Sequence, residues 1–201
     1  MKINILMTPD PITITEKTSI SEAIELMKIN SIRHLPVVSK RNLLKGFVTL
    51  ADLKQGLIPS MVGDVSLNDL MIKNPITVDP DDDIEIAAQL IYKHKIGGMP
   101  VVKKDKLVSV ITVTDILRAF IEMMGILTAS SRIDVVMKDE PSYFKEASQI
   151  INDNGGDIIN VGMTAQQESQ RIYYFRLSEC NTDIIKNALK KKGFEVLAAT
   201  D

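Results

Sequence analysis

The chain has 201 residues, 45% apolar and 25% charged, which suits a globular protein with one large domain or two modest ones and disfavours disorder. Its formal net charge of -2, with lysines and arginines spread along the chain, leaves no strong footprint for nucleic acid or an anionic membrane, and neither partner is expected. No apolar run reaches the roughly 18 residues that cross a bilayer, the first residues lack a secretory signal, and Cys180 has no second cysteine to pair with, so a cytoplasmic location is expected.

In chain order, residues 6–13 read as an opening strand. Ser19 with Glu22 three residues on makes a capping box, followed by Ile20, Ala23, Ile24 and Met27 at the spacing of one helix face. Residues 35–38 and 44–50 are short apolar segments around the polar turn 39–42, a strand pair. A second helix is expected to start near Asp52, whose carboxylate would lie at the positive end of the helix dipole. Residues 55–66, with Gly56, Pro59 and Gly63, read as a link.

The same pattern then recurs. Sliding the sequence by 64 residues aligns Met7 with Met71, Pro11, Ile12 and Thr13 with Pro75, Ile76 and Thr77, and Pro36, Val37 and Val38 with Pro100, Val101 and Val102. After a one-residue slip near Arg41 the offset is 63, and Leu44, Thr49 and Asp52 meet Leu107, Thr112 and Asp115. A polar turn is where a repeat tolerates such an indel. In the second copy Asp82 or Asp83 can cap a helix carrying Ile84, Ala87, Ala88 and Ile91, residues 99–102 and 107–113 form the strand pair, and a helix starts near Asp115. Each copy reads as a strand, a helix, two strands and a helix. About 50 residues bury too little surface to be comfortable alone, so the copies should pack together and leave clefts between them.

From Arg132 the pattern changes to a strand at 133–137, a helix with Phe144, Ala147 and Ile151 on one face ending at Gly155 and Gly156, strands at 158–163 and 171–177 around the loop 164–170, a helix with Ile184, Ile185, Ala188 and Leu189, and a strand at 194–198. This βαββαβ order is the split βαβ, or ferredoxin-like, arrangement.

Residues 6–13 and 70–77, the segments 32–38 and 96–102 ending in Pro-Val-Val, and the doubled Thr-x-x-Asp at 49–52 and 112–115 together resemble the tandem CBS-domain pair, or Bateman module. The tail resembles an ACT domain, chiefly through 154–161, although Ser142 follows Pro141 where such domains often carry glycine. The whole arrangement is similar to the acetoin-utilisation B family. The fold class implied is α/β (α+β): CBS domains at 1–58 and 64–129, then a ferredoxin-like ACT-like domain at 132–201.

The resemblance implies an adenosine-bearing ligand, AMP, ADP, ATP or S-adenosylmethionine, held between the copies. Asp52 and Asp115 could take ribose hydroxyls, or merely cap helices; Thr49 and Thr112 could donate to a phosphate, or be ordinary strand residues. Arg33 and His34, just before Leu35 and Pro36, occupy positions that often face phosphates in the family, or Arg33 is a solvated charge. Their mates are Gly97 and Gly98, ahead of Pro100, which makes the two clefts unequal. Thr13 and Thr77 complete the implied ligand-binding set. Gly46 keeps the glycine usual before the last strand, whereas Ser109 replaces it. The resemblance further implies a homodimer, a regulated enzyme partner, and a role in acetoin or acetyl-group metabolism; the tail could bind an amino acid or only dimerise.

No catalytic chemistry is expected. His34 and His94 do not align between copies, no Cys or acidic set makes a metal site, and Asp79, Asp81 and Asp83 lack the glycine and glutamate of a calcium loop. No Walker loop or Rossmann fingerprint occurs, so neither metal nor cofactor is expected. The apolar residues at 120–127 could serve a core or a dimer face. Two functions from different classes follow: an adenosine-ligand sensor, and a ligand-independent dimerising scaffold.

Overall fold

The computed structural model describes residues 1–7, 9–55, 65–138, 140–164 and 170–201. Most of the expected link at 55–66, and the loop at 165–169, lie outside the described residues. The chain forms two compact units, Met1–Arg118 and Ala119–Asp201.

The first unit holds the duplication. Helix α1 (Ile3–Leu6) is followed by α2 (Ile20–Ile29), strands β1 (His34–Val38) and β2 (Leu44–Thr49), and α3 (Leu50–Gln55). The second copy supplies α4 (Leu67–Leu70), α5 (Ile84–His94), β3 (Gly98–Lys103), β4 (Lys106–Thr112) and α6 (Val113–Met123), whose last turns pass into the second unit. The capping box at Ser19 is formed in both directions, Glu22 N–H donating to Ser19 Oγ and Ser19 N–H to Glu22 Oε2. Asp83 stands at the cap of α5 but its side chain holds Lys2 Nζ at 3.0 Å instead of a helix amide, while Asp82 accepts from Asp79 N–H.

The two hairpins share one register. Val37 faces Gly46 and Val101 faces Ser109; a bulge follows at Val37/Val38 in one and Val101/Val102 in the other; then Val38 faces Leu44 and Val102 faces Leu107. The change of offset from 64 to 63 therefore falls in the turn, and the bulge is common to both copies.

Among the described residues, the expected opening strands at 6–13 and 70–77 do not form. Leu6 and Leu70 end short helices, and Pro11 and Pro75 have no N–H to give a ladder. Beyond its proline each copy makes one parallel bridge: Ile14 N–H donates to the Pro36 carbonyl and Val38 N–H to that of Ile14, and Val78 does the same with Pro100 and Val102.

The helices preceding those bridges are exchanged between copies. Leu67 and Met71 pack into the first copy's core with Ile14, Ala23, Met27, Leu35, Val37, Val48 and Leu53. Reciprocally, Ile3 is fully buried and donates its N–H to Asp82 of the second copy, and Ile84 N–H reaches the Met1 carbonyl. The Phe47 and Ile72 backbones also bond both ways, at 3.0 and 2.9 Å. Each copy completes its core with a segment of the other, so neither half closes alone.

The second unit contains β5 (Ser131–Lys138), α7 (Pro141–Asp153), β6 (Ile158–Met163), β7 (Gln170–Leu177), α8 (Thr182–Lys191) and β8 (Glu195–Thr200), with antiparallel sheet order β6-β7-β5-β8. The βαββαβ reading is correct in element order. Ile133, Val135, Met137, Phe175 and Leu177 meet Ala147, Ile151, Ile185 and Leu189 in its core. The last strand starts one residue later than expected and ends two later, because Phe194 packs into that core as the chain enters the strand. Pro141 sits in the first turn of α7, where its missing N–H costs nothing. Gly156 is required by packing: a Cβ there would stand 2.6 Å from Ile151 Cγ2 and 2.9 Å from Ile185 Cδ1.

Candidate functional site

The doubled Thr-x-x-Asp forms the same structure twice. Each Thr ends its strand and each Asp lies in the first turn of the next helix, which starts two residues before the Asp expected to open it. Asp52 Oδ2 accepts from Thr49 N–H at 2.9 Å and from the Thr49 hydroxyl at 2.7 Å, while Asp52 N–H donates back to Thr49 Oγ1 at 3.3 Å. In the second copy the distances are 2.9, 2.7 and 3.4 Å. These are reciprocal caps. One carboxylate oxygen is committed to each cap, and Oδ1 is left to accept from something else. Each threonine hydroxyl has one proton and gives it to the aspartate, so in this conformation it offers a ligand a lone pair rather than a donor.

Arg33 and His34 are held beside this element by the backbone. His34 faces Thr49 across the hairpin, and the Arg33 carbonyl accepts from Leu50 N–H at 2.9 Å; the Gly97 carbonyl accepts from Val113 N–H at 3.1 Å. Arg33 is exposed, whereas the His34 ring is half-buried and stacks on Phe47 with centroids 5.7 Å apart and planes 16° apart. Burial, then the adjacent Arg33 charge, push the His34 imidazole below its ordinary range, with Asp52 pulling partly the other way.

The two copies meet at these positions. A Cβ on Gly97 would stand 2.9 Å from His34 Nε2, so the absent side chain is what admits the histidine. A Cβ on Gly98 would meet the Ile111 carbonyl at 2.9 Å and Thr112 Cγ2 at 3.1 Å. One continuous line of contacts thus runs from Asp52 and Thr49 through His34 to Gly97, Gly98, Thr112 and Asp115. Pro36 and Pro100 are buried strand residues whose carbonyls serve the bridges described above. Thr13 is half-buried and Thr77 exposed, each one residue before a bridge.

Ser109 is fully buried at the position of Gly46, where a Cβ would meet Met71 Sδ at 2.6 Å. Two residues escaped the sequence reading. Phe47, beneath His34, was legible only as core. Arg118 has its Nη2 at 3.8 Å from Asp115 Oδ1 and donates to the Leu6 carbonyl at 3.0 Å; its spacing of three from Asp115 was the signal, and its mate is the neutral Gln55. Among the described residues no group of three or more His, Cys, Asp or Glu could hold a metal ion, and no helix is long and apolar enough to cross a membrane.

The chain matches the CBS domain family over residues 3–58 and 62–122, and it belongs to that family as a tandem pair. An acetoin utilization protein, AcuB, from Vibrio cholerae is 31% identical with a TM-score of 0.56, over 63% of this chain and 94% of its own. The CBS domain pair of a protein solved in complex with 5'-methylthioadenosine and S-adenosyl-L-methionine is 29% identical with a TM-score of 0.56, over 60% of this chain and 99% of its own. CBSX2 in complex with AMP is 29% identical with a TM-score of 0.53, over 60% and 96%. Among curated proteins, a homoserine O-acetyltransferase of Methanocorpusculum labreanum is 43% identical over 103 residues, and the chain spans about a fifth of its length.

Proposed function

We propose that the CBS pair is a non-catalytic sensor of an adenosine-containing ligand: AMP, ADP, ATP or S-adenosylmethionine. The observation that carries this is the pair of aspartates, each locked by a reciprocal threonine cap with one oxygen left over, in a fold whose solved relatives hold S-adenosyl-L-methionine, 5'-methylthioadenosine or AMP. A fixed carboxylate oxygen suits a ribose because it accepts from hydroxyls and loses little freedom on doing so. Arg33 supplies a permanent charge for a phosphate at the first site; at the second, Gly97 and Gly98 bring no charge, and the remaining oxygen of Asp115 already has Arg118 near it. The two sites therefore differ in affinity.

The likeness to AcuB supports a role in acetoin or acetyl-group metabolism, exercised on an enzyme partner by a homodimer in the cytoplasm. The tail is ACT-like in its element order, and serves dimerisation or holds an amino acid near residues 154–161. A second reading, a ligand-independent scaffold, draws on the exposed side chains of Ile29, Tyr92 and Leu127. Thermal melting with AMP, ADP, ATP and S-adenosylmethionine at millimolar levels separates the two. A ligand at about 100 times its Kd adds roughly 2.7 kcal/mol, an easily read shift. No shift with any adenosine compound favours the scaffold.

A further inference from the structure

The cations look evenly spread in the sequence, but the fold gathers six of them. The turn of each CBS hairpin is joined to the turn of the other by a symmetric pair of bonds: Leu44 N–H donates to the Asp105 carbonyl at 3.2 Å and Leu107 N–H to that of Asn42 at 3.1 Å. The Asn42 side-chain amide adds a bond to the Leu107 carbonyl at 2.9 Å. Asn42 and Asp105, at equivalent places, both take the left-handed conformation that such short polar side chains tolerate, with φ of 60° and 64°. On and beside these turns Lys40, Arg41, Lys45, Lys103, Lys104 and Lys106 are all exposed; Asp105 is the single carboxylate within the two turn segments, and Asp81 and Asp79 lie near Lys103 alone of the six. Of the six, only Lys103 has an ion pair among the described residues, with Asp81 at 2.7 Å. A locally cationic ridge stands on a chain whose net charge is -2.

We infer that this ridge is a docking surface for an acidic segment of a partner protein. Five of the six cations are lysines, point charges on flexible stems, rather than the guanidinium forks that read phosphates in pairs. No exposed large apolar side chain lies on either turn to enter a bilayer, and no aromatic ring is there on which a base could stack. The net negative charge elsewhere opposes any long polyanion that would extend past the ridge. A short run of aspartates or glutamates meets none of these obstacles. It gains from clustered positive charge what such surfaces give, faster encounter and choice of partner, at an affinity that salt weakens. The inference is independent of the adenosine site.

The test is fluorescence anisotropy of a labelled peptide of about ten glutamates with the full chain at about 20 mM salt, repeated at about 200 mM. The expected result is saturable binding that weakens with salt, and weakens about tenfold or more in Lys40→Glu with Lys106→Glu. Lys190→Glu with Lys191→Glu, the same charge change on exposed residues of α8, should bind within about twofold of wild type. Lys40→Gln with Lys106→Gln, which adds no new charge, should weaken binding about threefold and keeps the test open if the reversal disturbs the turns. No binding at low salt, equal loss in the α8 variant, or tighter binding of a thymidine oligonucleotide or of phosphatidylglycerol vesicles would each overturn it.

Discussion

Replacing Asp52 with Asn tests the site more sharply than deleting its side chain, because the cap dictates how the amide must lie. Both groups that reach Asp52 Oδ2, the Thr49 N–H and the Thr49 hydroxyl, are donors, so the amide oxygen must face them and the NH2 must replace Oδ1. The cap survives, since Asn accepts nearly as well as Asp, and stability should change by a few tenths of a kcal/mol. The ligand side instead changes from acceptor to donor. A hydrogen bond to a charged group contributes about 1.5–3 kcal/mol, so the affinity of the first site should fall about tenfold to a hundredfold. Asp52→Ala loses the cap as well, about 1 kcal/mol, or a melting temperature lower by roughly 2–4 °C in a chain of this size. Titration calorimetry with each adenosine ligand, beside thermal melting, reads both quantities. The reasoning fails if Asn keeps full affinity, or if Asn and Ala lose stability equally.

Arg33→Ala should weaken AMP or ATP about tenfold while sparing adenosine, read by parallel titrations; equal losses would show that Arg33 shapes the pocket without touching phosphate. The His34 pKa lies below its ordinary 6.5, so the unfolded chain binds the extra proton: the contribution is complete above about pH 6.5 and is lost as pH falls through the folded value. Melting temperature should therefore drop on acidification, and His34→Gln should flatten that slope; an unchanged slope refutes it. Gly156→Ala should destabilise the second unit by about 1–3 kcal/mol, because the new Cβ meets the Ile151 carbonyl at 3.1 Å as well as two isoleucine side chains. Urea unfolding followed by near-ultraviolet dichroism of Tyr173 and Tyr174 reads that loss, and an unchanged midpoint would contradict it.

The duplication was legible because it rests on local signals: the Ser19 capping box, the Pro-Val-Val strands, and an indel in a turn where the structure also places the change of offset. Apolar residues near Pro11 and Pro75 suggest extended opening strands, but proline's missing donor breaks a ladder, and isolated bridges at Ile14, Ile72 and Val78 form instead. The exchange of α1 and α4 between copies carried no sequence signal, since Ile3 and Leu67 read equally well as core of their own copy. The repeat singles out the two aspartates with their threonines, and their proposed ligand role comes from the resemblance to the CBS pair. That one oxygen of each is already spent follows from the local cap between Thr and Asp three residues apart, whereas the packing of His34 on Gly97 depends on a contact between copies that a single sequence does not display. The cationic ridge was hidden likewise, its two halves lying about 60 residues apart in the chain.

The most direct measurement is calorimetric titration of the full chain with S-adenosylmethionine, AMP, ADP and ATP, with guanosine nucleotides as controls, on wild type and on Asp52→Asn with Asp115→Asn. The account predicts saturable binding of at least one adenosine ligand to wild type, weaker binding of guanosine nucleotides, and loss of about tenfold or more in the double variant with the fold retained. Absence of binding by every adenosine ligand, or equal affinity in the double variant, would contradict it.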